Sequence, residues 1–343
     1  MKWIYDLSLN ELKKEIAALG LREFMSDQVF QWLYQKNVRN IKLWSNISNY
    51  NRELFLKQYS TLLNRLIGKK EDKGGTKKFL IELEDKNRIE SVLIKEKNHY
   101  TFCISSQVGC ALNCAFCATG KMGFIRNLSS GEILTQILIL QKEIYEYNGK
   151  INIVFMGMGE PLLNYKNLKK ALSIIISKKG INFSPKNITV STAGILKYIK
   201  QIEIDFPNIK ISLSLNAPDN RIREQLMPVS KKENINNILD YFRNYKRKHK
   251  ITFEYVLIKG INDSIQDAKK VSKLLRGILC KINLIPYNEN INIKFKSPSK
   301  KDIEKFKESL QSNGYTVILR WSKGKDIKSA CGQLATQIKE NLN

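Results

Sequence analysis

Long apolar runs are missing from this chain of 343 residues, and so is acid: no stretch approaches the roughly 18 consecutive apolar residues that a membrane span needs, and 32 Asp+Glu face 58 Lys+Arg. The first absence excludes a helical membrane protein. The second leaves a formal charge of +26 and points to an anionic partner, of which nucleic acid is the commonest. Arginine is scarce as well, with 12 against 46 lysines. A lysine-rich, Asn- and Ile-rich composition is also what an AT-rich coding bias produces without selection for RNA. The opening MKWIYDLSLNELKK has neither the apolar core nor the small-residue cleavage site of a secretory signal, so a cytoplasmic setting is expected. With 43% hydrophobic residues the chain can bury one large core or two smaller ones.

The organisation changes near residue 95. Ser8 and Glu11 form a capping-box pattern ahead of Leu12, Ile16 and Leu19 at helical spacing, and Gly20 ends that helix. A second amphipathic stretch covers about Asp27 to Tyr34. Alternation over 77–83, a polar turn at Asp85-Lys86-Asn87 and a run from Ile89 to Ile94 read as a hairpin. Trp3, Trp32 and Trp44 fall in this region and read as core rather than base-stacking platforms. Residues 1–95 therefore read as a small α+β accessory domain with a charge of +6, leaving +20 for the rest.

From residue 100 strand-like and helix-like segments alternate. Strands are expected at about 101–106, 151–157, 187–192, 210–216, 251–258 and 280–285, with helices at 132–147, 168–177, 235–247 and 267–275 among those between them. A further helix (300–312) and strand (315–321) follow. Six βα units predict a parallel sheet in an incomplete TIM-like (β/α)6 barrel over 96–298, with a C-terminal extension over 299–343. In such a fold the chemistry belongs on loops after the strands.

Six cysteines occur, at 103, 110, 114, 117, 280 and 331. Cys110-Ala-Leu-Asn-Cys114-Ala-Phe-Cys117 sits directly after the first barrel strand, and three thiols on one short loop are metal ligands far more often than an accident. Zinc normally takes four protein ligands, and nothing nearby offers a fourth beyond His99 and Cys103. An iron–sulfur cluster with one iron open to an outside ligand accounts for a set of three.

The Cx3CxxC spacing with Phe116 before the last cysteine resembles the radical S-adenosylmethionine (SAM) enzymes. Ser105-Ser-Gln-Val-Gly-Cys110, Ala118-Thr-Gly120, Phe155-Met-Gly-Met-Gly-Glu-Pro161 and Ala330-Cys-Gly-Gln-Leu334 narrow the resemblance to the RlmN/Cfr family of RNA adenine methyltransferases. That resemblance implies one 4Fe-4S cluster on Cys110, Cys114 and Cys117 and two SAM molecules per turnover. It further implies a methyl-accepting Cys331, a resolving Cys103 that forms a transient disulfide with it, and a proton acceptor at Glu90. SAM contacts are implied at Gly159, Glu160, Ser191, Ser214, Leu215, Asn216 and Asn288. The implied partners are 23S rRNA, tRNA and a cytoplasmic electron donor such as flavodoxin, with the enzyme a monomer. The chain departs from the family in Asn216, where His is usual, and in Glu289, where Pro is usual.

Taken alone, Cys103 between Phe102 and Ile104 reads as a small buried hydrophobe, Glu90 as solvated surface, and the Ser and Asn residues at strand ends as ordinary turn residues. Cys280 carries no motif and reads as structural. C2 methylation is the favoured reading. C8 methylation and a non-catalytic RNA-binding module with a structural metal are the alternatives.

Overall fold

Short aliphatic and β-branched segments separated by amphipathic helices build one principal sheet in the computed structural model, which describes residues 1–244, 250–290 and 293–336. Among these residues the sheet has ten strands: β1 (Arg65–Glu71), β2 (Lys77–Glu82), β3 (Arg88–Lys95), β4 (His99–Cys103), β5 (Lys150–Phe155), β6 (Ile188–Thr192), β7 (Lys210–Ser214), β8 (Ile251–Leu257), β9 (Cys280–Pro286) and β10 (Thr316–Leu319). Their order across the sheet is their order in the chain. Strands β1 to β4 are mutually antiparallel, whereas β4 to β10 are parallel. The sheet does not close, since β1 and β10 are its two edges.

The six barrel strands expected from the sequence are β4 to β9, and the C-terminal segment adds β10 as a further parallel strand. Residue 95 marks a change of strand direction, while the sheet itself runs across it through the β3–β4 pairing of Val92 with Cys103 and Leu93 with Phe102. Strand β1 left no hydrophobic signal in the sequence because it is a largely exposed edge strand ending in Lys69-Lys70-Glu71. The helix expected over 235–247 is seen at Ile235–Asn244, and positions 245–247 lie outside the described residues.

The helix Ser130–Lys142 explains how the N-terminal segment docks. Ser129 and Glu132 form its reciprocal capping box, and every residue from Ser130 to Leu140 is buried. A helix apolar on all sides must be covered on all sides. The sheet covers one side, and the tight turn Ile4–Asp6 lies over the other, with Asp6 Oδ1 accepting the Gly131 N–H at 2.8 Å. The rest of that segment is mainly helical, with Leu9–Ala18 and its Ser8/Glu11 capping box, Met25–Phe30 running into one wide turn over Gln31–Gln35, and Asn49–Gln58, and its ends meet where Lys2–Trp3 pairs in parallel with Tyr59–Ser60. Trp32 and Trp44 are buried as expected, while Trp3 is only half-buried and donates through Nε1 to Leu62 O at 2.8 Å.

Gly131 is the position on which this docking turns. A Cβ there would lie 2.7 Å from Trp3 Cζ3 and 2.9 Å from the Tyr5 carbonyl carbon. Gly131→Ala gains up to about 1 kcal/mol of helix propensity and loses about 1–3 kcal/mol to overpacking, so a net loss is expected. A lowered urea midpoint checks this, and a raised one would show that the N-terminal segment yields freely.

Candidate active site

Strand β4 ends at Cys103, and the chain then makes a small hairpin of Gln107–Gly109 with Phe124–Asn127. Gly109 has a φ of +72°, and a Cβ on it would lie 1.9 Å from Gly123 O, so only glycine allows the hairpin to close just before Cys110. Cys110 N–H donates to Gly123 O at 2.7 Å. The three-cysteine loop follows and is pinned at Ala115, whose N–H donates to Leu226 O at 2.8 Å, before the short helix Ala118–Lys121. That helix holds the C-terminal loop: Ala118 N–H donates to Gly332 O at 2.8 Å and Thr119 Oγ1 to Leu334 O at 2.6 Å.

A cavity of about 170 Å³ opens at the C-terminal ends of the parallel strands. Its walls include Cys110, Cys114 and Cys117, Gly159 and Glu160 after β5, Ser191 at the end of β6, Ser214 and Asn216 at the end of β7, Asn288 after β9, and Cys331. Leu215 is the exception among the expected contacts. Its side chain is buried in the core, as strand alternation requires of a residue between Ser214 and Asn216. Gly159, at φ +97°, lies where a Cβ would be 2.5 Å from Gln107 Cβ. The Glu160 carboxylate accepts the N–H groups of Leu162 (3.1 Å) and Ala193 (2.8 Å). Burial nevertheless pushes its pKa up to about 7, because those bonds offset desolvation only in part. Asn216 takes the left-handed conformation (φ +55°) that asparagine tolerates, and its Oδ1 accepts Val256 N–H at 2.9 Å.

Cys331 lies between two spaces. It lines the larger cavity and also a pocket of about 30 Å³ shared with Cys103, Met156 and Arg320. Burial pushes Cys103 up to about 12 and raises Cys331 too, while the Arg320 guanidinium opposes both shifts. Glu90 is placed differently. It is fully buried rather than on the surface, because β3 is covered on both faces, and it opens on a separate cavity of about 300 Å³ beside Lys78, Lys121 and Gln333. Cys280 lies in the core on β9. A wider cavity of about 960 Å³, bordered by Lys36, Arg39 and Tyr145, takes in Ile151 near the start of β5 and none of the expected site residues.

Two residues of this region went unread in the sequence. Glu254 on β8 lines the main cavity and accepts from Ser212 Oγ and Asn283 Nδ2, each at 2.7 Å. An acidic residue inside the apolar run Ile251–Leu257 was the available signal. Arg223 is fully buried and donates to Ala193 O (2.5 Å), Ser214 O (3.0 Å), Leu215 O (3.2 Å) and Ser230 Oγ (2.6 Å). It ties together the loops after β6 and β7, and burial lowers its pKa to about 10.

These walls fit an iron–sulfur cluster with SAM. Among the described residues no three Cys, His, Asp or Glu donors converge on a single ion. A four-iron cluster takes its thiolates on separate irons and so asks for a wider spread than a single zinc ion does. Asn288 Oδ1 is a buried acceptor without a hydrogen-bond partner, and Glu160 is a buried carboxyl on the same cavity. Both suit the donor groups of an amino-acid-bearing nucleoside.

Arg223→Lys is expected to destabilise the protein by about 2 kcal/mol or more, since one ammonium cannot reach acceptors on two loops and each buried carbonyl left unmet costs about 1–3 kcal/mol. Denaturant unfolding measures this. An unchanged midpoint would mean that water replaces the guanidinium.

Residues 104–271 match the radical SAM superfamily, and residues 3–60 match the ribosomal RNA large subunit methyltransferase N-terminal domain. The chain is 44% identical over 342 residues to a protein of Thermotoga neapolitana named a probable dual-specificity RNA methyltransferase RlmN, with 99% of each chain covered. It is 40% identical over 343 residues to a protein of that name from Aquifex aeolicus, with 98% of each covered. The crystal structure of a radical SAM methyltransferase from Sphaerobacter thermophilus is similar at a TM-score of 0.94 and 35% identity, covering 98% of this chain and 100% of that one. With its three-cysteine loop and its terminal Cys331 loop placed at one cavity, the chain belongs to the RlmN family of radical SAM RNA methyltransferases.

Proposed function

We propose that this protein methylates C2 of an adenosine in 23S rRNA and of the adenosine beside the anticodon in a subset of tRNAs. The observation that carries the reading is the position of Cys331, which lines both the cavity of the three-cysteine loop and the small pocket that holds Cys103. An amidine carbon such as C2 is not nucleophilic, so direct displacement on a SAM sulfonium cannot methylate it. A cluster held by Cys110, Cys114 and Cys117 supplies, when bound, the electron that makes one SAM a source of a carbon radical.

The chain's own residues do the rest. Cys331 sulfur takes the methyl group of a first SAM, and that methyl then gives up one hydrogen atom, so that two SAM molecules serve each turnover. The methylene carbon bonds to C2, Glu90 takes the C2 proton, and the one electron released with it would return to the oxidised cluster that Cys110, Cys114 and Cys117 would hold. Cys103 attacks Cys331 sulfur. The carbon–sulfur bond breaks, its electron pair stays with carbon, and a proton completes the methyl group as the disulfide forms. Glu160, Gly159, Ser191, Ser214, Asn216 and Asn288 line the space for SAM, with Leu215 behind them. Residues 1–95 recognise RNA, 96–298 form the partial barrel, and 299–343 present Cys331. The enzyme works as a monomer in the cytoplasm, reduced by a flavodoxin-type donor.

Cys110→Ala, Cys114→Ala and Cys117→Ala are each expected to lose the brown cluster absorbance and 5′-deoxyadenosine formation, because one missing thiolate exposes an iron. Full 5′-deoxyadenosine production by any of them would end the cluster assignment. Wild-type enzyme incubated with rRNA and tRNA fragments, SAM and a reductant should yield 2-methyladenosine by mass spectrometry of digested RNA. The 8-methyl isomer would instead indicate C8 chemistry.

The two outer cysteines are separated by what accumulates. Cys103→Ala keeps the methyl carrier and lacks the resolving thiol, so RNA should stay joined to Cys331 and appear as a protein–RNA band on a denaturing gel. Cys331→Ala should give neither band nor product. Wild-type product levels from Cys103→Ala would return Cys103 to a packing role.

A further inference from the structure

A buried ion pair outside the main cavity holds both flanks of the loop that carries Cys331. Lys78 on β2 and Glu90 on β3 are diagonal neighbours on one face of the sheet, since the register pairs Leu80 with Glu90. Lys78 Nζ lies 2.9 Å from Glu90 Oε1, and the two side chains are 4% and 0% exposed. Each side chain makes one further hydrogen bond, and both go to the same segment. Lys78 Nζ donates to Lys328 O at 3.2 Å, and Glu90 Oε2 accepts Ala335 N–H at 3.0 Å. Cys331 stands between those two backbone groups.

A buried pair of charges is a poor source of stability, because desolvation consumes most of the attraction and an apolar pair of similar volume often does as well. What the pair does supply here is geometry. A carboxylate with one oxygen against an ammonium and the other on a backbone N–H has a fixed direction, and so does the chain that provides the N–H.

We propose that Lys78 is a positioning residue for the methyl-transfer centre: paired with Glu90, it latches segment 328–335 so that Cys331 faces the main cavity. The inference rests on the roles proposed above for Cys331 and Glu90. With the latch closed, Cys331 lines the cavity where it receives and activates its methyl group, while Glu90 faces Lys78 through Oε1, holds Ala335 through Oε2 and lines the other cavity. Lys78 therefore keeps the carrier loop docked and the buried Glu90 carboxylate paired.

The test uses the full-length protein and follows the alkylation of Cys331 by iodoacetamide, read by mass spectrometry of its peptide, alongside RNA methylation. Lys78→Met should raise the alkylation rate about tenfold or more by releasing the Lys328 flank, and should lower RNA methylation while the brown absorbance of the cluster is kept. Lys78→Arg, which retains the cation and can still donate to Lys328 O, should restore both towards wild type. A merely structural lysine would not give that pattern. Should Lys78→Met fail to fold with Glu90 left uncompensated, Lys78→Met/Glu90→Gln removes both charges and should show the same fast alkylation. Wild-type alkylation in the lysine variants, with Glu90→Gln inactive, would overturn the latch and leave the proposed reaction standing. Wild-type methylation by Glu90→Gln would instead remove Glu90 from the proposed reaction.

Discussion

Ala118 N–H on Gly332 O and Thr119 Oγ1 on Leu334 O hold two loops together that are more than two hundred residues apart, and the chemistry depends on that contact. One loop carries the three clustered thiols, the other the lone Cys331. A carbon radical reacts with whatever it meets, so the group meant to receive it must already be in place and water must be kept out. Cys331 O accepts from Asn288 Nδ2 at 3.1 Å and Gln333 Nε2 donates to Glu289 O at 2.9 Å, which adds the loop after β9 to the same clamp.

The open sheet is what brings these partners within reach. Parallel strands deliver their C-terminal ends to one side, so the loops after β4 to β9 converge without any long-range design in each. The antiparallel strands β1 to β3 extend that sheet past β4 and carry Lys78 and Glu90 to the flank of the Cys331 loop. The hairpin thus grips the two ends of the loop that carries Cys331, a contact that neither the hairpin nor the barrel has alone.

How far the sequence was legible follows from how each residue signals. Thiols at 110, 114 and 117 announce themselves because the spacing has few other uses, and the alternation of apolar runs with capping boxes located β4 to β9 closely. Glu90 was misread as surface when taken alone, since alternation implies one wet face only where a strand is covered on one side, and β3 is covered on both. Leu215 was placed in the site by the resemblance; its neighbours Ser214 and Asn216 line the cavity, while its own side chain packs in the core and leaves only its backbone for the site. Strand β1 was invisible for the opposite reason: an exposed edge needs charge rather than apolar residues. Arg223 carries no periodic or motif signal at all, because its importance lies in four acceptors that only the fold assembles.

The scarcity of arginine gives that last point weight. In a chain with 46 lysines and 12 arginines, lysine suffices wherever one positive charge in water is enough, as at the many exposed ion pairs. Arginine stands instead where a planar, always-charged fork must reach several acceptors. Arg223 bridges two loops through four of them, and Arg126 reaches Glu132 with two nitrogens and Asp85 with a third. Arg320, just after β10, sets its guanidinium beside the Cys103 and Cys331 thiols. A compact ammonium could supply the charge at each of these places but not the geometry. Against a lysine-rich background these three arginines therefore mark positions where the fold or the site fixes the direction of a cation, which is information that net charge alone conceals.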